Sequence, residues 1–129
     1  MREIKFRAKP SKGEGWAIGL PTTDTDGNPI IIPTDGLPDN ITRYVYPGYT
    51  CKGVDGKTVG QYIGLKDING REVYEGDIVR LHRNEKYSYI VEWREGCAEF
   101  VGRCLETELG LANLNVNSEI EVIGNIYEE

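Results

Sequence analysis

Two short apolar runs on either side of an Asn-Gly pair constrain this chain more than anything else in it. The stretch is Gln61-Tyr-Ile-Gly-Leu-Lys-Asp-Ile-Asn-Gly-Arg-Glu-Val-Tyr-Glu-Gly-Asp-Ile-Val-Arg-Leu-His-Arg83. Asn69-Gly70 predicts a hairpin with a type I′ turn, because both central residues of that turn need positive φ, which Gly and Asn accept most readily. Asp67, two residues earlier, is placed for its carboxylate to accept backbone N–H bonds and tighten the turn. Gly76 permits a sharp bend, Asp77 can cap it, and Ile78, Val79 and Leu81 open the next strand. With a period of two, Arg80 and His82 then point away from Val79 and Leu81. A Gly-Asp pair followed by an apolar strand commonly opens small, strongly bent barrels of the SH3-like type.

The same residues carry a family resemblance. Gln61-Tyr62-x-Gly64-Leu65-x-Asp67-x-Asn69-Gly70-x-x-x-Tyr74-Glu75-Gly76-Asp77-Ile78-Val79 resembles the signature of the YopX family of phage and prophage proteins. Met1 to Ala8, Gly15-Trp16-x-x-Gly19, Val54-Asp55, Thr58-Val59-Gly60-Gln61 and Glu121 to Tyr127 are similar to further family motifs. The weakest matches are residues 20 to 53 and 103 to 117. The resemblance implies a small β-rich fold and a bacteriophage origin. It supplies no assigned activity and no catalytic residues.

The rest of the chain agrees with an all-β, mainly antiparallel protein. The expectation is one domain over residues 1–129, a small SH3-like barrel or pseudo-barrel with a Pro- and Gly-rich hairpin extension near its N-terminus and at most one short helix. Ile4, Phe6 and Ala8 alternate with Glu3, Lys5 and Arg7, which predicts a first strand with the apolar set facing the core. Trp16 to Leu20 is a second. Residues 20–53 read as an insert-like segment. Ile30-Ile31-Ile32 is bracketed there by Pro29 and Pro33, which predicts an edge strand or a protruding hairpin because proline cannot donate to a ladder.

Further on, Tyr87, Tyr89, Val91 and Trp93 alternate with Ser88, Ile90, Glu92 and Arg94 after a turn at residues 84–86. Residues 78–101 thus predict a three-stranded meander. Leu105, Leu109 and Ala112 make a weak helical stripe, but Gly110 and Asn113 oppose it, and a strand pair or an irregular loop competes. In the closing strand, Ile120 and Val122 are expected to face in, with a bulge at Gly124 that returns Ile126 to the core. Asp26-Gly27, Asp55-Gly56 and Asn69-Gly70 share a turn grammar without implying a duplicated domain.

The search for chemistry finds little. The net charge of −6 opposes nucleic acid and anionic membranes, since phosphate contacts supply most nucleic-acid affinity. Three cysteines without a C-x-x-C pair read as reduced thiols of a cytoplasmic protein. No apolar run matches a membrane span and no signal peptide opens the chain. His82 is the single histidine; a general base needs a nucleophile and an orienting acid, and no pattern supplies them. Asp67, Asn69 and Glu75 miss the ligand spacing of a calcium loop. Residues 60–64 lack the Lys-Ser/Thr of a phosphate loop. No catalytic, metal or cofactor residue is expected.

Two surfaces stand out instead. Tyr44, Tyr46 and Tyr49 form an aromatic cluster suited to protein contact. Arg80, His82 and Arg94 form a basic patch suited to single-stranded nucleic acid, although Glu85, Glu92 and Glu95 dilute it. The expected function is a non-enzymatic accessory protein that binds a host or phage protein or a second copy of itself, with an edge near Ile30–Ile32 as one route to a homo-oligomer. A small nucleic-acid module is the alternative, and a small hydrolase a more distant one.

Overall fold

The computed structural model describes residues 4–33, 52–82, 84–96, 98–107, 110–114 and 119–128. The chain packs as two compact units, Lys5–Gln61 and Tyr62–Glu129 together with Met1–Ile4. Among the described residues all ladders are antiparallel, as the alternating runs and Gly-centred turns require.

The Lys5–Gln61 unit holds β1 (Phe6–Ala8), β2 (Ala17–Thr23), β3 (Pro29–Pro33), β4 (Lys52–Gly53) and the first residues of β5 (Gly60–Lys66). The strands lie in the order β4-β3-β2-β1-β5. Ala8, Ala17, Ile31 and Val54 form its core, with Val59 packed against them. The hairpin extension is present: Thr22 and Thr23 pair with Ile30 and Pro29, beyond the reach of β1. A residue larger than Gly19 has no place in β2, because its Cβ would run into the Ile32 backbone.

Two expectations fail in this unit. The Ile30–Ile32 strand is not an edge: β4 pairs with Ile30 and Ile31, and Ile31 is completely buried. Residues 20–23 and 29–33 lie in strands of the sheet, and Ile31 belongs to its core. Proline at both ends of β3 is tolerated because the ladder needs donors from only the three residues between. Arg7 does not face solvent either; it is buried, with its guanidinium carbon 4.0 Å from the centroid of the Trp16 ring and the Lys9 ammonium 4.3 Å from the same centroid. Cation–π contact and the length of the side chain allow an arginine to sit there. Ile4, which belongs to the other unit and is likewise expected in a core, is 64% exposed.

The larger unit carries the rest of β5, β6 (Glu72–Tyr74), β7 (Asp77–Leu81), β8 (Asn84–Arg94), β9 (Glu99–Cys104), β10 (Leu111–Asn113) and β11 (Ile120–Asn125). β5 and β6 form the signature hairpin. The others form a five-stranded sheet in the order β10-β9-β8-β7-β11. Its meander β7-β8-β9 is the one the sequence predicts, although β8 starts at Asn84 and a register shift absorbs the residues expected to turn. Ile63, Val73, Val79, Leu81, Tyr89, Val91, Phe100, Cys104, Ala112, Leu114 and Ile120 make one core. Burying a side chain such as Val79, Leu81 or Val91 contributes about 1.5–3 kcal/mol each over leaving it exposed.

At Leu111–Asn113 the chain is a strand, not the end of a helix. β10 pairs back on β9, and the Cys104 N–H donates to the Gly110 carbonyl at 2.8 Å. A Cβ at Gly110 would sit 2.7 Å from that of Cys104, so the position must be glycine, which costs a helix dearly. In β11 the bulge between Val122 and Gly124 is present, but it brings Asn125 inside and leaves Ile126 47% exposed.

Among the described residues the strands form open sheets, without the closed SH3-like or pseudo-barrel expected. β11 ends the five-stranded sheet, and the Asp67 turn occupies its outer edge: Ile68 N–H donates to the Ile120 carbonyl at 2.9 Å and Val122 N–H to Asp67 Oδ2 at 3.0 Å. A strand whose outer groups are already taken cannot close a barrel.

Candidate interaction surface

The signature turn is structural. Asp67 Oδ1 accepts from the N–H groups of Asn69 at 2.9 Å and Arg71 at 2.8 Å, while Oδ2 takes Val122. Burial opposes its charge, yet the N–H groups of Val122, Arg71 and Asn69 and the Arg71 charge outweigh that and hold the carboxyl below the ordinary aspartate value of 3.8. The turn is not type I′. Gly70 has φ +82° and Asn69 is not in the left-handed region; Gly70 N–H closes on the Asp67 carbonyl at 3.0 Å. The Asp67 side chain holds the preceding residues in ordinary turn geometry, so only the glycine needs positive φ.

Asp24-Thr25-Asp26-Gly27-Asn28 repeats this geometry between β2 and β3. Asp24 Oδ1 accepts from Asp26 and Asn28 N–H at 2.9 Å each, Gly27 has φ +85°, and the Asn28 N–H leads the contacts that lower the Asp24 pKa. Only the Asp67 copy reaches across to another strand.

Gly76 and Asp77 shape the next turn. Asp77 is buried and its Oδ2 accepts the Tyr74 N–H at 2.8 Å. Gly76 has φ +92°, donates to the Val91 carbonyl and accepts from Ile126 N–H, and lies under the Tyr127 ring.

The basic patch does not assemble. Arg80 lies opposite Ser88, whereas Arg94 lies six residues farther along β8, about 20 Å away. Arg80 Nη1 is 3.8 Å from Glu121 Oε1. His82 Nε2 is 3.4 Å from the same oxygen, and its Nδ1 is 3.7 Å from Glu119 Oε2. β11 supplies Glu121, and Glu119 lies just before it; that pairing is invisible to a reading along β7 and β8 alone. Tyr44, Tyr46 and Tyr49 lie outside the described residues.

Other contacts escaped the sequence reading. Trp93, the last residue of its alternating series, is 45% exposed and stands edge-on to Phe100 with ring centroids 5.0 Å apart. Its alternation marks its face, but the register Trp93↔Phe100 decides that it sits near the hairpin end, at the margin of the core. Ala98, in the turn beyond, has φ +51°. Glu106 Oε2 accepts from Ser88 Oγ at 2.7 Å and its Oε1 from Ser88 N–H at 2.8 Å, which lowers its pKa. The Cys104 thiol is buried and unpaired in any disulfide.

Charge is unevenly divided. Lys5–Gln61 contains seven Lys or Arg and six Asp or Glu, a balance of +1, and the remainder contains eight and fifteen, a balance of −7. The acidity of the chain thus belongs to one unit. No helix among the described residues is long and apolar enough to cross a membrane.

A protein-family model described as YopX protein matches residues 5–129. No curated protein matches the chain.

Proposed function

The chain belongs to the YopX family, and we propose that it is a non-catalytic accessory protein of a phage or prophage that works through protein contacts in the bacterial cytoplasm. The observation that supports this reading most is Trp93. A large ring left half in solvent, braced by Phe100, can enter a partner's pocket while losing little side-chain freedom, and tryptophan dominates such contacts. The residues that would otherwise suggest chemistry have structural work: Asp67 and Asp77 hold backbone N–H groups, Glu106 holds Ser88, and His82 lies between two glutamates. The nucleic-acid alternative draws less support, because Glu121 sits against both Arg80 and His82.

The test is a tagged pull-down from bacterial lysate with the wild-type chain and Trp93→Ala, each split into nuclease-treated and untreated halves. A protein retained after nuclease and lost with Trp93→Ala is the expected result. Retention that disappears with nuclease points to the nucleic-acid alternative. Retention indifferent to Trp93→Ala removes the aromatic anchor from the reading.

A further inference from the structure

Asn69-Gly70 is the only Asn-Gly pair in the chain, and it stands at the exposed tip of the signature turn. Asparagine is thermolabile, most of all before glycine, where no side chain shields the next backbone nitrogen. There the Gly70 nitrogen can lose its proton and attack Asn69 Cγ. An N–C bond forms, the Cγ–Nδ2 bond breaks and ammonia leaves, which closes a succinimide ring. Water then opens either carbonyl. Opening at Cγ gives aspartate; opening at the former main-chain carbonyl gives isoaspartate, whose backbone runs through Cβ and Cγ. Space does not prevent the reaction, since a Cβ built on Gly70 would meet nothing within 4 Å. The matching turn at Asp24 offers no equivalent: Asp26 precedes its glycine, and a carboxylate is a poorer electrophile than an amide.

The folded turn works against this attack. Gly70 N–H donates to the Asp67 carbonyl at 3.0 Å, so the nucleophile keeps its proton and points into the turn. Asp67 Oδ1 holds the N–H groups of Asn69 at 2.9 Å and Arg71 at 2.8 Å. Positive φ at Gly70 and not at Asn69 marks a type I turn followed by a left-handed residue. The third residue of such a turn has ψ of about 0°, which sets the Gly70 nitrogen beside the Asn69 nitrogen and away from its Cβ. Ring closure needs that nitrogen alongside Cβ, so ψ must rotate and the Gly70 hydrogen bond must break. We propose that Asn69 is a site of spontaneous succinimide chemistry that the Asp67 turn holds shut in the folded chain, and that isoaspartate formed there releases β11 irreversibly. An extra main-chain atom between residues 69 and 70 cannot preserve both the Gly70 and the Arg71 bonds to Asp67. The contacts of Val122 N–H with Asp67 Oδ2 and of Ile68 N–H with the Ile120 carbonyl depend on the same turn. Protein contact by the chain is not required for this chemistry.

The test follows Asn69 in the full chain at mildly alkaline pH by peptide mapping, with isoaspartyl methyltransferase labelling to report isoaspartate. The chain unfolded in urea gives the rate of the open turn. The folded wild type is expected to convert slower by about tenfold or more, because the turn must open before attack. Asp67→Ala is expected to recover most of the open rate. Asp67→Asn keeps the shape of the side chain without its charge; it is the second variant should Asp67→Ala not fold, and is also expected to convert faster than wild type. Gly76→Ala strains a different turn and is expected to keep the protection. The purified isoaspartate chain is expected to unfold at lower urea than Asn69→Asp, which carries the same charge on an ordinary backbone. No conversion in urea overturns the site, and conversion of the folded chain as fast as in urea overturns the protection. Equal acceleration by Gly76→Ala and the Asp67 variants, or none by the latter, overturns the role of Asp67. Identical unfolding of the isoaspartate chain and Asn69→Asp overturns the release of β11.

Discussion

Asp67 and Val122 are 55 residues apart in the chain, and the aspartate carboxylate accepts the valine N–H at 3.0 Å. The same side chain closes its own turn through Asn69 and Arg71. One carboxylate thereby ties the signature hairpin to β11 and occupies an edge of the sheet that would otherwise be open to pairing with another chain.

Replacing Asp67 by Ala leaves three backbone donors without their charged acceptor. Hydrogen bonds to a charged group contribute about 1.5–3 kcal/mol each and do not add fully, so Asp67→Ala is expected to destabilise the larger unit by about 2–4 kcal/mol. Urea unfolding measures this. Light scattering of the same variant should show more aggregation than wild type, because the Ile120 and Val122 edge groups are released. A loss under about 0.5 kcal/mol would show that the turn holds without its carboxylate.

The pH dependence of that contribution has a definite sign. The Asp67 pKa is lowered in the folded chain, so the unfolded state binds the proton more readily. The stabilisation is complete above the ordinary aspartate value near 3.8, and is lost as pH falls below it and through the lowered folded value. The difference in stability between wild type and Asp67→Asn should therefore shrink over that acid window and stay flat from pH 6 to 8. A difference that grows on acidification would contradict the assignment.

Gly76 tests the other turn of the signature. A side chain there must adopt φ near +92° and push on Tyr127, whose Cε2 would lie 3.0 Å from the new Cβ. Gly76→Ala is expected to cost about 1–3 kcal/mol. Tyr127→Ala should recover the steric part and leave the backbone part. A double-mutant cycle that reads no coupling would mean that the ring moves aside freely.

The sequence alone determined the elements. Period-two alternation located β1, β7, β8 and β11, Gly-centred pairs located the turns, and the signature residues pointed to the family. These are local properties, set by backbone sterics at glycine and by the alternation of side chains along a strand, so they can be read without knowing what lies alongside. Neighbours across the ladders decided the rest. The ladder with β11 set Glu121 against Arg80 and His82 and dispersed the expected patch. β4 turned Ile30–Ile32 from an edge into an interior strand, Trp16 drew Arg7 out of solvent, and the Asp67 carboxylate converted a type I′ expectation into a turn that needs only Gly70 at positive φ. Each outcome depends on a residue distant in sequence or on a side-chain hydrogen bond, and register, which no pattern along a single strand encodes, selects the partner.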